Sequence, residues 1–555
     1  MSQAHQRLTV FARTFGLWVQ VWLMSVATLL FSACSSSVDS ASGAGYSAPF
    51  PGSTSPVSNP SSENGSVLVP GGTNINLGGS QDFGFFRGQL NSGIVPTSEA
   101  LDAAGFFAEH HHELPPPSCG NRICLQPMLA VMGNLSDGAN CTMLHLGLNS
   151  PIVADPAHRP PLSLAVVVDV SGSMSGAKLE YVKQGLSVLI DKMRDGDRLA
   201  LITYSDSATT IAPMAPVELQ RVTLREQIAK LYATGGTNIA LGLETGYHAV
   251  LQNLDGARQN RVILLSDGVP TVGVTDTPSI IQMSRGYNGE GIGITTIGLG
   301  ADFNVDLMRN LALQADGNFY FLENTGAVKE VFEEEVDFFS VPVAFDLSLR
   351  LKTGASYKFG RAVGSPFFKT TPEGGSLDVP SVFVAHRTSH ADVTNENGRR
   401  GGGSALLVEL LPSIEGPATS EVEVAQVEIS FREPGTNRVV TDVVSIKYPY
   451  SPTYLASTGY FQAQNTPAIQ KSFVMLNILA GMERAILAFH SGRANENTIR
   501  ELDQLMAAVV DYNEEVADVD IQLDYELLVQ LRANLLRAGV RAPAPSPFPN
   551  AWPAD

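Results

Sequence analysis

Cysteine is scarce in this chain of 555 residues, four in all, and no two of them stand as Cys-x-x-Cys, so a cysteine zinc ribbon is excluded. Basic charge is short as well. The 36 Lys and Arg against 55 Asp and Glu leave a net charge of −19, which argues against a nucleic-acid partner, since that would demand a basic face. No Gly-x-Gly-x-x-Gly and no Gly-x-x-x-x-Gly-Lys-Ser/Thr follows an apolar strand, so no nucleotide is implied. A His-Glu-x-x-His pair is missing, and Gly172-Ser173-Met174-Ser175-Gly176 places Met where a nucleophile elbow would place Ser. What remains is a chain with 44% hydrophobic residues, long enough for several cores.

Asp169-Val170-Ser171-Gly172-Ser173 closes the apolar run Leu164-Ala165-Val166-Val167-Val168. Such a run reads as a buried parallel strand, and ligand groups in open α/β sheets gather just beyond strand carboxyl ends. Gly235-Gly236-Thr237-Asn238 precedes a helical run from Ile239 toward Leu254, and Arg261 to Leu265 is a second buried strand that runs into Ser266-Asp267-Gly268. Two carboxylates and three hydroxyls are hard oxygen donors, the set that Mg²⁺ prefers.

Asp169, Ser171, Ser173, Thr237 and Asp267, in that order, resemble the metal-ion-dependent adhesion site of von Willebrand factor type A domains. The resemblance implies a Rossmann-like, doubly wound α/β fold, a bound Mg²⁺ (or Mn²⁺ or Ca²⁺), and capture of an Asp or Glu carboxylate from a partner protein, in adhesion or complex assembly. The two aspartates would offset the ion's charge and the hydroxyls would add none, leaving it electrophilic toward that carboxylate. A metal-assisted hydrolase or phosphatase is the alternative, although a phosphoryl-transferring Asp loop of the haloacid-dehalogenase type would want Asp where Ser171 stands. A third is a subunit of a chelatase-type ATPase complex, which export to a compartment without ATP disfavours.

Export is suggested by the first 33 residues. Arg7 and Arg13 precede a mostly apolar stretch from Phe15 to Phe31, and Ser32-Ala33 leads to Cys34. This resembles a bacterial lipoprotein signal, with Phe31 where that pattern usually has Leu. It implies a lipidated Cys34 at the start of the mature chain, and Ser35 in the next position implies an envelope location at the outer membrane. From Ser35 to about Asp82, within a segment 34–90, Ser, Gly, Pro and Asn dominate and read as a flexible tether. Gly71-Gly72-Thr73-Asn74 within it repeats the metal-loop string, with no strand expected after it.

Alternating strands and helices mark 161–340 as the α/β unit, with Leu179, Val182, Leu186 and Leu189 on one face of its first helix and Lys178, Glu180 and Lys183 on the other. Period two governs both flanks: Leu144, Leu146 and Leu148 in 91–160, and Val343, Phe345, Leu347, Leu349 and Leu351 in 341–450. Those flanks are expected to share one β-sandwich into which the α/β unit is inserted, which makes His145 a solvent-facing strand residue. A short helix is expected over Thr97 to His112, with His110-His111-His112 as a solvated cluster. Of Cys119, Cys124 and Cys141, three pairings are open and Cys119 with Cys124 is favoured. A helical region spans 451–540, started by Thr466 and Pro467, and its Phe473–Ala480 run is too short to span a bilayer. Asp518, Asp520 and Asp524 read as a solvated acidic face, and 541–555 as a Pro-rich disordered tail.

Overall fold

The computed structural model describes residues 73–77, 82–152, 159–300, 303–314, 317–322, 331–332, 342–385, 403–413, 417–434, 436, 438–462 and 466–543. The expected signal, Cys34 and nearly all of the expected tail lie outside them. Ordered structure starts earlier than composition suggests. β1 (Thr73–Leu77) is a strand that buries Ile75 and Leu77, and α1 (Gly84–Asn91) buries Phe86 and Leu90, so the tether expected over 34–90 is corrected at its C-terminal end. The helix expected over Thr97 to His112 is confined to α2 (Ala103–Ala108), where Asp102 caps the N-terminus by accepting from the Ala104 N–H. β2 (Cys124–Gly133) and β3 (Asn140–Ser150) follow.

The α/β unit opens with β4 (Leu162–Asp169), buried along its whole length. Then come α3 (Ala177–Lys192), β5 (Arg198–Tyr204), β6 (Ala208–Pro216), α4 (Val217–Ala229) and α5 (Ile239–Leu251). β7 (Gln259–Ser266), α6 (Thr277–Asn288), β8 (Gly293–Leu299), α7 (Val305–Leu313) and β9 (Phe319–Leu322) complete it. Strand order is β6-β5-β4-β7-β8-β9, parallel except for the antiparallel edge strand β6. Val166 and Val168 pack with Leu179, Val182 and Leu224 on one face, while Ala165 and Val167 pack with Leu243, Tyr247 and Leu311 on the other. Helices on both faces leave no polar side for β4, which is why its sequence is a continuous apolar run. From β4 the chain winds one way to β5 and the other way to β7, so the carboxyl end of β4 is the topological switch point.

After the unit come β10 (Pro342–Thr353), β11 (Tyr357–Val363), β12 (Lys369–Thr371), β13 (Gly374–Val384), β14 (Leu406–Pro412), β15 (Val422–Arg432), β16 (Val439–Tyr448) and β17 (Tyr460–Phe461). These join the strands that precede the unit: β3 pairs antiparallel with β14, placing Leu146 opposite Leu406, and β1 pairs with β3 on one side and β13 on the other. Leu144, Leu146 and Leu148 face Leu347, Leu349, Val427 and Ile429 across one core. The α/β unit is therefore inserted between strands of a single antiparallel assembly.

Helices α8 (Thr466–His490), α9 (Glu496–Val516) and α10 (Val519–Arg537) cover the opposite face of β2 and β3, where Met128, Ala130, Cys141 and Met143 meet Phe473 and Leu476. That cover overturns three expectations. His145 is completely buried, its Nδ1 2.9 Å from Ser472 Oγ. His110, His111 and His112 are buried, with His110 Nε2 2.8 Å from Asp524 Oδ2. Asp518, Asp520 and Asp524 are buried too, and Lys471 Nζ lies 2.8 Å from Asp518 and 2.9 Å from Asp520. α8 carries a 24-residue stretch long and apolar enough to cross a membrane, longer than the Phe473–Ala480 run, and here 72% of its apolar window is packed inside the protein.

Candidate metal site

Asp169 ends β4, and the chain then makes one 3-10 turn, Gly172–Met174, which folds Ser171 and Ser173 back toward the strand end. The Ser171 N–H donates to Asp169 Oδ1 at 2.8 Å, and the two serine hydroxyl oxygens are 3.0 Å apart. Ser173 Oγ donates to Oδ1 of Asp267, just beyond β7, at 2.8 Å. Asp169, Ser171 and Asp267 are buried, and Ser173 faces solvent.

Thr237 lies in the loop before α5, whose N-terminus Asn238 caps by accepting from the Leu241 N–H. Thr271 holds its backbone at both ends: the Thr237 N–H donates to Thr271 Oγ1 and the Thr271 N–H to the Thr237 carbonyl, each at 2.9 Å. Gly235, at φ +77, turns this loop so that its carbonyl accepts from the Gly172 N–H at 3.0 Å, locking the threonine loop to the serine loop. Thr237 Oγ1 and Ser173 Oγ each stand 3.7 Å from the point a Cβ on Gly268 would occupy, so both line the small space beside that glycine.

Burial pushes the Asp169 carboxyl up from its ordinary value, hydrogen bonds from Ser171 and Ser266 pull it down, and the charge of Asp267 adds to the rise. Tyr204 also donates to Asp169 Oδ2, at 3.3 Å, and burial together with that carboxylate lifts the phenol well above its usual range. Two buried carboxylates and converging hydroxyls fit a hard divalent cation.

Sequence reasoning missed four neighbours. Lys178 was placed on the solvent side of α3, yet its Nζ lies 2.5 Å from Asp267 Oδ2. Tyr204 and Ser266 both reach Asp169 from strand ends beside it, and the period of the strands could have pointed to Ser266. Thr271 carried no signal. Elsewhere, Cys119 and Cys124 form a disulfide with Cα atoms 5.6 Å apart, and Cys141 is buried in β3.

Fold and edge position define a doubly wound α/β domain with an acidic, hydroxyl-lined site at its switch point. The family model of the von Willebrand factor type A domain matches residues 163–334, and this segment is a domain of that family. Relatives include the uncharacterized protein YfbK of Escherichia coli, 27% identical over 195 residues, covering 35% of this chain and 34% of that protein. The uncharacterized protein sll0103 of Synechocystis is 26% identical over 332 residues, covering 59% of this chain and 75% of that one. A solved structure of a von Willebrand factor type A protein from Catenulispora acidiphila superposes with a TM-score of 0.46 at 15% identity, over 73% of this chain and 89% of that one. The chain spans well under two thirds of YfbK.

Proposed function

We propose that this domain is a metal-dependent protein-binding module in which Asp169, Ser171, Ser173, Thr237 and Asp267 hold Mg²⁺, or Mn²⁺ or Ca²⁺ by the same oxygen chemistry. The observation that carries this is the hydrogen-bonded chain from Asp169 through Ser171 and Ser173 to Asp267, which gathers hard donors from two loops. Domains of this family generally mediate metal-dependent protein interactions. When bound, the cation supplies an electrophilic seat for one further carboxylate, from an Asp or Glu of the partner. Ser266 and Tyr204 orient Asp169 from below, and Thr237, fixed through its backbone by Thr271, keeps its hydroxyl for the engaged state.

A pull-down from envelope extract with Mg²⁺ should retain a protein that EDTA releases and that Asp169→Ala fails to capture. Thr237→Ala should weaken capture more than it weakens metal uptake. Equal capture by Asp169→Ala in EDTA would contradict the reading, and turnover of a phosphate or ester lost in that variant would favour the hydrolase.

We further propose that the chain is held in the cell envelope, at the outer membrane, by acyl groups on Cys34, a reading supported by the small residues Ser32-Ala33 ahead of it. Intact-mass analysis should find acylation at Cys34. A disulfide on Cys34 in the mature chain would rule out the thioether and the anchor with it.

A further inference from the structure

We propose that Lys178 sets the charge of this site, so that the metal-loaded site carries one net positive charge and selects an anionic ligand; this rests on the metal reading above. Lys178 is the second residue of α3, and its ammonium lies 2.5 Å from Oδ2 of Asp267, the oxygen that Ser173 does not hold. The Asp267 side chain is 0% exposed and that of Lys178 29%, so the ion pair has its anion buried and its cation partly open to water. The lysine stem passes close to Gly300, at φ +72, where a Cβ would stand 2.7 Å from Lys178 Cε.

Counting charge gives the consequence. The charged members of the hydrogen-bonded network are Asp169, Asp267 and Lys178, while Asp206, which accepts from the Gly236 N–H at 2.9 Å, is exposed to water. Two carboxylates alone would cancel a divalent cation and leave a neutral site. With Lys178 included, the loaded site is +1, and one partner carboxylate neutralises it. The lysine therefore acts in opposite directions on the two ligands: it weakens the hold on the cation and strengthens the hold on the anion. A merely structural lysine would move both the same way or neither.

The test uses the full chain, Mn²⁺ followed by electron paramagnetic resonance of the free ion, and acetate added to the Mn²⁺-loaded protein and followed by water-proton relaxation. Lys178→Met keeps the length of the stem and removes the charge. It should bind Mn²⁺ about tenfold more tightly and acetate about tenfold more weakly, the size expected for one partly solvated charge a few ångströms away. Lys178→Arg should restore both to near wild type, and circular dichroism of each variant reports on folding. Shifts in the same direction, or none, would overturn the role of Lys178 while leaving the metal site standing. A wild-type chain that binds no Mn²⁺ would overturn the metal reading, and the charge assignment with it.

Discussion

Ser266 donates its hydroxyl to Oδ2 of Asp169 at 2.8 Å, tying the end of β7 to the end of β4 directly beneath the site. The two strands are adjacent and parallel, with Val168 opposite Leu265, so the bond is a consequence of sheet register. It also shows what the fold tolerates: a buried carboxylate held by hydroxyls and one backbone N–H, with a second carboxylate close by.

Asp169→Asn should therefore stabilise the metal-free protein. Burial and Asp267 raise the folded-state value of this carboxyl above 3.8, so the folded chain binds the proton more tightly than the unfolded one. Stability from this group then falls as pH rises from 3.8 through the raised value, and at neutral pH the ionised form is a cost. Removing it should raise the midpoint in EDTA by about 2 to 4 °C, the response of a domain this size to about 1 kcal/mol. Mg²⁺, which should raise the wild-type midpoint, should leave the variant's unchanged. Differential scanning calorimetry in EDTA and in Mg²⁺ reads both, and a lower midpoint in EDTA would contradict the argument.

Asp197 has the opposite sign. Burial pushes its carboxyl up, but the Arg159 guanidinium, paired at 2.7 and 3.2 Å, and the Leu162 N–H bring it below its ordinary value. Its contribution is present above pH 3.8 and is lost as pH falls through the depressed value. Asp197→Ala removes the carboxylate that accepts from the buried Arg159 guanidinium and from the Leu162 and Arg194 N–H groups, and should cost about 1 to 3 kcal/mol in urea unfolding at pH 7. A loss below about 1 kcal/mol would show that the pair is not closed in solution.

His145 should make the sandwich and its helical cover sensitive to acid. Burial holds its imidazole at about 3, against 6.5 when exposed, so the unfolded chain takes up a proton that the folded chain refuses. The contribution is complete above pH 6.5 and declines by roughly 1.4 kcal/mol per unit as pH falls from 6.5 toward 3. His112, also held well below its ordinary value by burial, adds to the slope. His145→Asn should remove its share of the slope, measured as unfolding free energy at pH 7, 6 and 5. An unchanged slope would contradict the assignment.

These histidines mark where the sequence stops being readable. Leu144, Leu146 and Leu148 alternating with His145 and Gly147 describe a half-buried strand correctly for the face that meets Leu347 and Ile429. Nothing local reports that the other face is covered by Phe473 and Leu476, more than 300 residues downstream. The same cover buries Asp520 and Asp524, whose partners Lys471 and His110 come from distant segments. The positions of Asp169 and Asp267 at the sheet edge were legible because continuous apolar runs announce the buried parallel strands that end there, and the position of Thr237 because a Gly-Gly turn precedes a helical run. Lys178 was not, because a lysine in the first turn of an amphipathic helix looks solvated, and Asp267, the carboxylate it meets, lies 89 positions away.

Excision of residues 161–340 should leave a folded remainder. β3 pairs with β14 and β1 with β13, so the strands on either side of the insert complete one another without it. The remainder loses contacts of Asp82 with the Phe321 N–H and of Phe85 with Phe303 and Phe321, a local cost at α1. Circular dichroism should retain β-structure with a cooperative melt. A random-coil spectrum would show that the sandwich needs the inserted domain.

The most direct measurement is a calorimetric titration of Mg²⁺ into the full chain and into Asp169→Ala and Thr237→Ala, each shown to be folded. A single site in the wild type, its loss in Asp169→Ala and its retention within a few-fold in Thr237→Ala are the predicted result, because Asp169 anchors the donor chain and Thr237 stands beside it. Mg²⁺ bound by Asp169→Ala as tightly as by the wild type would contradict the account.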